Sequence, residues 1–288
     1  MVNLCKAFRA EAGTVFKRLT QSETTGISFS EETVTELASA DLAMQIHPYS
    51  VITRLATKAQ ESGHGGDWEW IFRKGRRCVR VRVQAKKLKR ARFDGLAHVN
   101  RKTGLRQMDV LINRAKIDNV VPLYCFYSAA RTDFKAQKNL CHHRYLGRSY
   151  WGCGLARAEH IKRLGKDDLR SILPLTRPWH ELVCGDARID LPTRVQAVLG
   201  GQRESSALAD PSALLFHRTL APGNPDDVVP SIEDVPAYVE EMVEAYAEWQ
   251  RATPLEREPW TGDGSLFKLS QSTDRGLDGI LVISDPAA

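Results

Sequence analysis

Between Gly65 and Lys86 the chain reads GGDWEWIFRKGRRCVRVRVQAK, two alternating runs around a short basic turn. On a strand, side chains two apart share a face. Strand geometry therefore groups Trp68, Trp70 and Phe72 on an apolar face of the first run, and Val79, Val81, Val83 and Ala85 on that of the second. Asp67 and Glu69 point the other way, as do Arg80, Arg82, Gln84 and Lys86. A hairpin of this kind needs a core against one side and gathers acids, an amide and a lysine on the other.

The rest of the chain can supply that core. With 288 residues, 42% apolar and 26% charged, it is long enough for one large domain or two small ones. No stretch approaches the roughly 18 apolar residues of a membrane span, and the start MVNLCKAFRAEAG lacks the apolar region of a signal peptide, so a cytoplasmic protein without a membrane partner is expected. Cys5, Cys78, Cys125, Cys141, Cys153 and Cys184 are scattered without CxxC spacing, which predicts mostly reduced thiols. The net charge of +6 is unevenly spread: residues 73–92 hold eleven Lys/Arg and no acid, whereas residues 201–288 hold 6 basic against 16 acidic residues. A polyanion would meet the first part.

In chain order, Leu4, Phe8, Val15, Phe16 and Leu19 recur at helical spacing. A second helix is expected after Ser30, which can cap it, with Glu31 and Glu32 in a first turn where carboxylates complement the dipole. Residues 50–57 suit a short strand, and the loop KAQESGHGG leads into the hairpin. Beyond it, Met108, Leu111, Ile112 and Ala115 mark a helix, and VVPLYCFY (residues 120–127) reads as a strand buried on both faces. Strand, helix and buried strand form a crossover unit, so a mixed sheet flanked by helices is expected. Further on, residues 151–164 read as a strand or turn and then a helix, and residues 173–183 as extended chain. Residues 200–210 look like a linker, residues 235–249 like a helix with a Tyr238, Met242, Tyr246 and Trp249 stripe, and residues 279–284 like a closing strand. Residues 1–200 are read as one domain with its core at about 30–130, and residues 201–288 as an acidic, mostly helical C-terminal region that can pack on it.

Several chemistries lack their motifs. There is no GxxxxGK[ST], complete GxGxxG, HExxH or GxSxG. Cys141, His142, His143, Cys153 and His160 lie close in sequence, but no CxxC knuckle accompanies them, and buried thiols with surface imidazoles are the better reading.

The hairpin offers a more specific chemistry. Mg²⁺ takes hard oxygen ligands and keeps several waters. Asp67 would supply the anion, Gln84 its side-chain carbonyl and Ala85 a backbone carbonyl, while Lys86 would position an attacking water or offset charge growing on a phosphate. Glu69, on the face of Asp67, would be an auxiliary acid. Arg80, Arg82, Lys87, Lys89 and Arg90 flank this site and would neutralise phosphates without reading bases.

With GGD and QAK in this arrangement the sequence resembles the PD-(D/E)XK nuclease superfamily, in particular its Mrr-like branch, which carries Q in place of the second acid. Asp67, Gln84 and Lys86 match the pattern, and Glu32 or Glu31 occupies the segment where such proteins place a helical glutamate. The run EET, GGDWEW, VQAK and PLYCFY is also similar to a bacterial family of unknown function associated with that superfamily. The resemblance implies a restriction-endonuclease-like α/β fold and Mg²⁺, replaceable by Mn²⁺. It further implies cleavage of double-stranded DNA in bacterial defence, alone, as a homodimer or with a defence-system partner. The catalytic set it implies is Asp67, Gln84, Lys86, Glu69 and Glu32. Two features depart from the pattern: Gln84 leaves the site one negative charge short, and WEW follows Asp67 where a short apolar stretch is usual. The alternatives are a nuclease-derived module that binds nucleic acid or a protein partner without cutting. A plainer reading makes DWEW and the Arg-rich run a cross-strand salt-bridge ladder.

Overall fold

The computed structural model describes residues 3–52, 65–99, 104–130, 147–200, 220–251 and 280–285. Most of the KAQESGHGG loop, Cys141, His142, His143 and the 201–210 linker lie outside the described residues.

Helix α1 (Leu4–Thr25) is opened by Asn3, whose side chain accepts from the Lys6 N–H at 2.9 Å. Helix α2 (Glu31–Ile46) begins where the sequence predicts, with Ser30 Oγ accepting from the Thr33 N–H at 3.0 Å. Strand β1 (Ser50–Ile52) follows. Strands β2 (Trp68–Lys74) and β3 (Arg77–Lys89) form the hairpin in the alternating register, with Trp68 opposite Val83 and Trp70 opposite Val81. The end of β3 turns back through Arg90 and Ala91 into β4 (Arg92–Phe93). Helix α3 (Gln107–Ile117) then crosses over to β5 (Val121–Tyr127), which lies parallel to β3 and is buried along its whole length. The continuous apolar run had marked that burial.

Strand β6 (Cys153–Arg157), helices α4 (Ala158–Leu164) and α5 (Leu169–Ile172) and strand β7 (Arg177–Pro178) extend the sheet and cover it. The stretch expected to be extended chain is mostly 3₁₀ turn, at Leu173–Leu175 and Trp179–Leu182, with β7 between them. Helix α6 (Leu191–Val198), strand β8 (Glu233–Asp234), helix α7 (Ala237–Arg251) and strand β9 (Ile280–Ser284) complete the described elements. The strand order is β1-β9-β2-β3-β5-β6-β7, with β4 and β8 pairing to β3. Strand β9 is antiparallel to β1 and parallel to β2, so the end of the chain lies within the sheet between two N-terminal strands. The protein is therefore α/β, with an open mixed sheet flanked by helices.

Side-chain alternation divides the interior. Trp68, Trp70, Phe72, Val79, Val81, Val83 and Ala85 pack with α1 and α2, as the hairpin's apolar side demands. Trp70 lies edge-on or tilted to Phe8 and Trp179, at centroid distances of 5.8 Å to each. Across the sheet, Tyr124 and Phe126 pack with Leu111 and Ile112 of α3, and Ile71 and Val282 pack with Val239 and Met242 of α7. Cys5 and Cys184 form a disulfide across 179 residues of sequence, a correction for that pair to the expectation of thiols. They meet because α1 packs on the Trp179–Leu182 turn, where Trp179 Nε1 donates to the Phe8 carbonyl at 2.5 Å. Cys78, Cys125 and Cys153 are buried thiols.

Candidate active site

The polar side of the hairpin divides into a structural half and a half with chemical potential. In the structural half, Glu69 lies opposite Arg82 in the register and is 1% exposed. Its carboxylate accepts from Arg82 at 3.1 Å and from Arg80 at 3.5 Å. Arg82 also pairs with Asp118 at 2.9 Å, while Arg80 donates to the Asp118 carbonyl at 2.6 Å and to Glu233 of β8. Burial is so complete that these charges persist only because each meets an opposite charge or a carbonyl. Arg80 and Arg82, expected to neutralise phosphates, are instead buried in these ion pairs, and Glu69, expected as an auxiliary acid, is engaged by both of them. The pairing is that of a cross-strand salt-bridge ladder, but the ladder is buried where the plainer reading placed it on a solvated face. Arg73 and Arg77 are likewise occupied, by Glu240 at 3.2 Å and Asp190 at 2.9 Å.

The other half is built from the GGD turn, the end of β3 and the start of α2. Gly65 has φ +74, and a Cβ there would sit 2.5 Å from the Leu111 backbone nitrogen; at Gly66 a Cβ would sit 2.6 Å from Arg82 Cγ. Both glycines let the chain pass tightly between α3 and β3 and so fix where Asp67 emerges. The Asp67 N–H donates to the Val83 carbonyl at 2.8 Å, and Asp67 Oδ2 accepts from the Ala85 N–H at 2.5 Å. These two bonds bracket Gln84. Its side chain is 1% exposed, and among the described residues neither its amide oxygen nor its amide nitrogen has a hydrogen-bond partner. A buried polar group left unpaired costs about 1–3 kcal/mol, so this amide needs an explanation.

Lys86 and Glu31 stand at the adjacent end. Lys86 Nζ donates to Glu31 Oε1 at 3.1 Å, and the Lys87 N–H donates to Glu31 Oε2 at 2.8 Å. Of the two candidate glutamates it is thus Glu31 that meets Lys86; Glu32 lies about 100° further around the helix. Lys87, expected on a nucleic-acid surface, is buried and donates to the Phe29 carbonyl and to Ser28 Oγ. Burial, with Lys89 nearby, lowers its pKa against the pull of Glu31. Lys89 and Arg90 are exposed.

Tyr124 was not singled out from the sequence. It pairs with Gln84 in the β3–β5 register, and burial followed by the carboxylates of Asp67, Asp109 and Glu31 raises its phenol well above the ordinary range. The continuous apolar run hid it, because only the register reveals what lies opposite Gln84.

The donors assembled here, the Asp67 and Glu31 carboxylates, the Gln84 amide oxygen and the Ala85 carbonyl, are all hard oxygens, the type Mg²⁺ takes. An unpaired buried amide beside them fits a ligand role. Among the described residues no group of three or more His, Cys, Asp or Glu side chains is placed to hold a metal, so any site here depends on the neutral donors as well. Nor is any described helix long and apolar enough to cross a membrane.

No curated protein and no solved structure matches this chain. Residues 4–281 match the model of a family of unknown function, DUF6615, and the chain belongs to that family.

Proposed function

We propose that the chain is a metal-dependent nuclease that hydrolyses phosphodiester bonds, with double-stranded DNA as substrate and bacterial defence as its setting. The observation that carries the reading is the amide of Gln84, without a partner among the described residues and buried between the two bonds that fix Asp67, two residues from Lys86. Support also comes from the order α2, β1, β2, β3, β4, α3, β5, with β3 and β5 parallel, which suits the restriction-endonuclease-like arrangement that the sequence resembles.

Asp67, Gln84 and Ala85 would hold Mg²⁺ or Mn²⁺. When bound, the cation supplies Lewis-acid stabilisation to the phosphate oxygens and the attacking water. Glu31 accepts from Lys86 and thereby aims its ammonium. From there Lys86 donates to a phosphate oxygen or to the water, offsetting negative charge as water oxygen bonds to phosphorus and the bond to the leaving oxygen breaks, the water's proton passing to solvent and the leaving oxygen taking one from solvent. Low exposure of Lys86 strengthens that interaction relative to the same contact in water.

A second reading is a nuclease-derived module that binds nucleic acid, or a protein partner, without cutting. It is favoured by the bond from the Ala85 N–H to Asp67, which by itself satisfies a strand end, and by the neutral Gln84. Incubating the protein with plasmid and linear DNA, with Mg²⁺, Mn²⁺ or EDTA, separates the two. Metal-dependent cleavage lost in Asp67→Ala and in Lys86→Ala supports the nuclease. Cleavage surviving both substitutions removes the site assignment, and salt-sensitive binding without cleavage supports the module.

A further inference from the structure

We propose that the β3–β4 turn and the segment after α4 form one fixed clamp for the backbone of a DNA duplex, with Lys89, Arg90, Lys166 and Arg170 as its phosphate contacts. This rests on the nuclease reading for its placement of Lys86 at the scissile phosphate. All four side chains are exposed. In contrast to Arg73, Arg77, Arg80 and Arg82 of the hairpin, none is within ion-pair distance of a carboxylate among the described residues.

The clamp is rigid by construction. Arg90 and Ala91 take φ +47 and +65, a left-handed pair that non-glycine residues adopt only where surrounding structure compels it. Here the compulsion is visible: the Leu169 N–H donates to the Ala91 carbonyl at 3.0 Å and the Phe93 N–H to the Asp167 carbonyl at 2.8 Å. The Arg92 guanidinium closes on Asp167 at 2.7 Å. Asp168 is occupied as the cap of α5, accepting from the Ser171 N–H at 2.9 Å. Of the two acids between Lys166 and Arg170, Asp167 is thus used in joining the segments and Asp168 in capping α5, and the two cations beside them stay exposed.

The turn is also coupled to the candidate site. The chain leaving β4 passes Gly95, where a Cβ would lie 4.0 Å from Lys86 Cε. Along β3 the Lys89 Cα lies about 10 Å from that of Lys86, close to three phosphate spacings along one DNA strand; the odd offset puts the two side chains on opposite faces of the strand, so it is the approach of Gly95 to Lys86 that places a duplex held at Lys86 beside the clamp.

The test is binding of the full-length protein to a short DNA duplex in EDTA across a salt series. Each lost phosphate contact lowers the slope of log affinity against log salt by about 0.9. Neutralising all four cations (Lys89→Gln, Arg90→Gly, Lys166→Gln, Arg170→Gln) is expected to lower it by about 3 to 4, while Ala91→Gly, which keeps the turn and every charge, leaves the slope unchanged. Wild-type protein that does not bind duplex, or binds anionic vesicles instead, overturns the clamp. So does an unchanged slope in a fourfold variant whose circular dichroism shows it folded; with metal-dependent cleavage still abolished by Lys86→Ala, the nuclease reading then stands alone. A reduced slope with no cleavage under any metal upholds the clamp and removes the nuclease.

Discussion

Replacing Glu69 by Gln separates an acid that supports the sheet from an acid that does chemistry. Glu69 is 1% exposed and bonds two guanidinium groups, at 3.1 Å and 3.5 Å. Removing one partner of a buried ion pair costs about 3–5 kcal/mol, because the remaining charge is stranded. Arg82 would keep Asp118 at 2.9 Å, and Arg80 would keep Glu233 and the Asp118 carbonyl, so the lower end, about 3 kcal/mol, is expected. For a chain of this size that corresponds to a fall in Tm of roughly 6–10 °C. Thermal unfolding and urea titration of Glu69→Gln measure the loss, and Glu69→Met combined with Arg82→Met should cost less than the sum of the two single changes. Below the shifted Tm, DNA cleavage or binding should be retained. An unchanged Tm together with lost cleavage would refute the division of the polar face and return Glu69 to the candidate site.

Three further outcomes follow from specific side chains. Gln84→Met removes an unpaired buried amide, so in EDTA it should be neutral or stabilising by about 1 kcal/mol in urea titration, while metal-dependent cleavage is lost; a destabilisation of several kcal/mol would show that the amide has a structural partner. Burial, then the nearby Asp41, raises the pKa of Glu11 to about 7 from 4.5, against the pull of Arg18 and the Gln45 hydrogen bond. Because the folded state holds this proton more tightly, its contribution to stability is complete below pH 4.5 and is lost as pH rises through about 7; Glu11→Gln should flatten the fall in urea midpoint across that window. Ala91→Gly relieves one left-handed residue and should raise stability by about 1 kcal/mol, and a decrease would show that the turn is not strained.

How far the sequence revealed this molecule depends on the range of the interaction concerned. Alternation in the hairpin is local, so the Trp68, Trp70 and Phe72 face, the Val79–Ala85 face and the cap at Ser30 were all legible from neighbouring residues. Alternation also assigned Glu69, Arg80, Arg82, Gln84 and Lys86 to polar positions, but it says nothing of who stands opposite. The deciding partners come from far along the chain: Asp118 and Glu233 for the arginines, Glu31 for Lys86, Tyr124 for Gln84. The same distance effect concealed Cys5–Cys184 and the insertion of β9 between β1 and β2. Charge density misled for a related reason. Eleven basic residues in one stretch suggested a polyanion surface, whereas Arg73, Arg77, Arg80 and Arg82 are met by acids from four other segments of the chain. Positive charge in a strand that becomes the middle of a sheet has to be neutralised, since desolvation there outweighs any distant ligand. Where the strands leave the body of the sheet, at Arg76 in the β2–β3 turn and at Lys89 and Arg90 past the end of β3, the basic run keeps its charge in solvent. The useful sequence signal was therefore the place where the strand leaves the core, not the number of basic residues it carries.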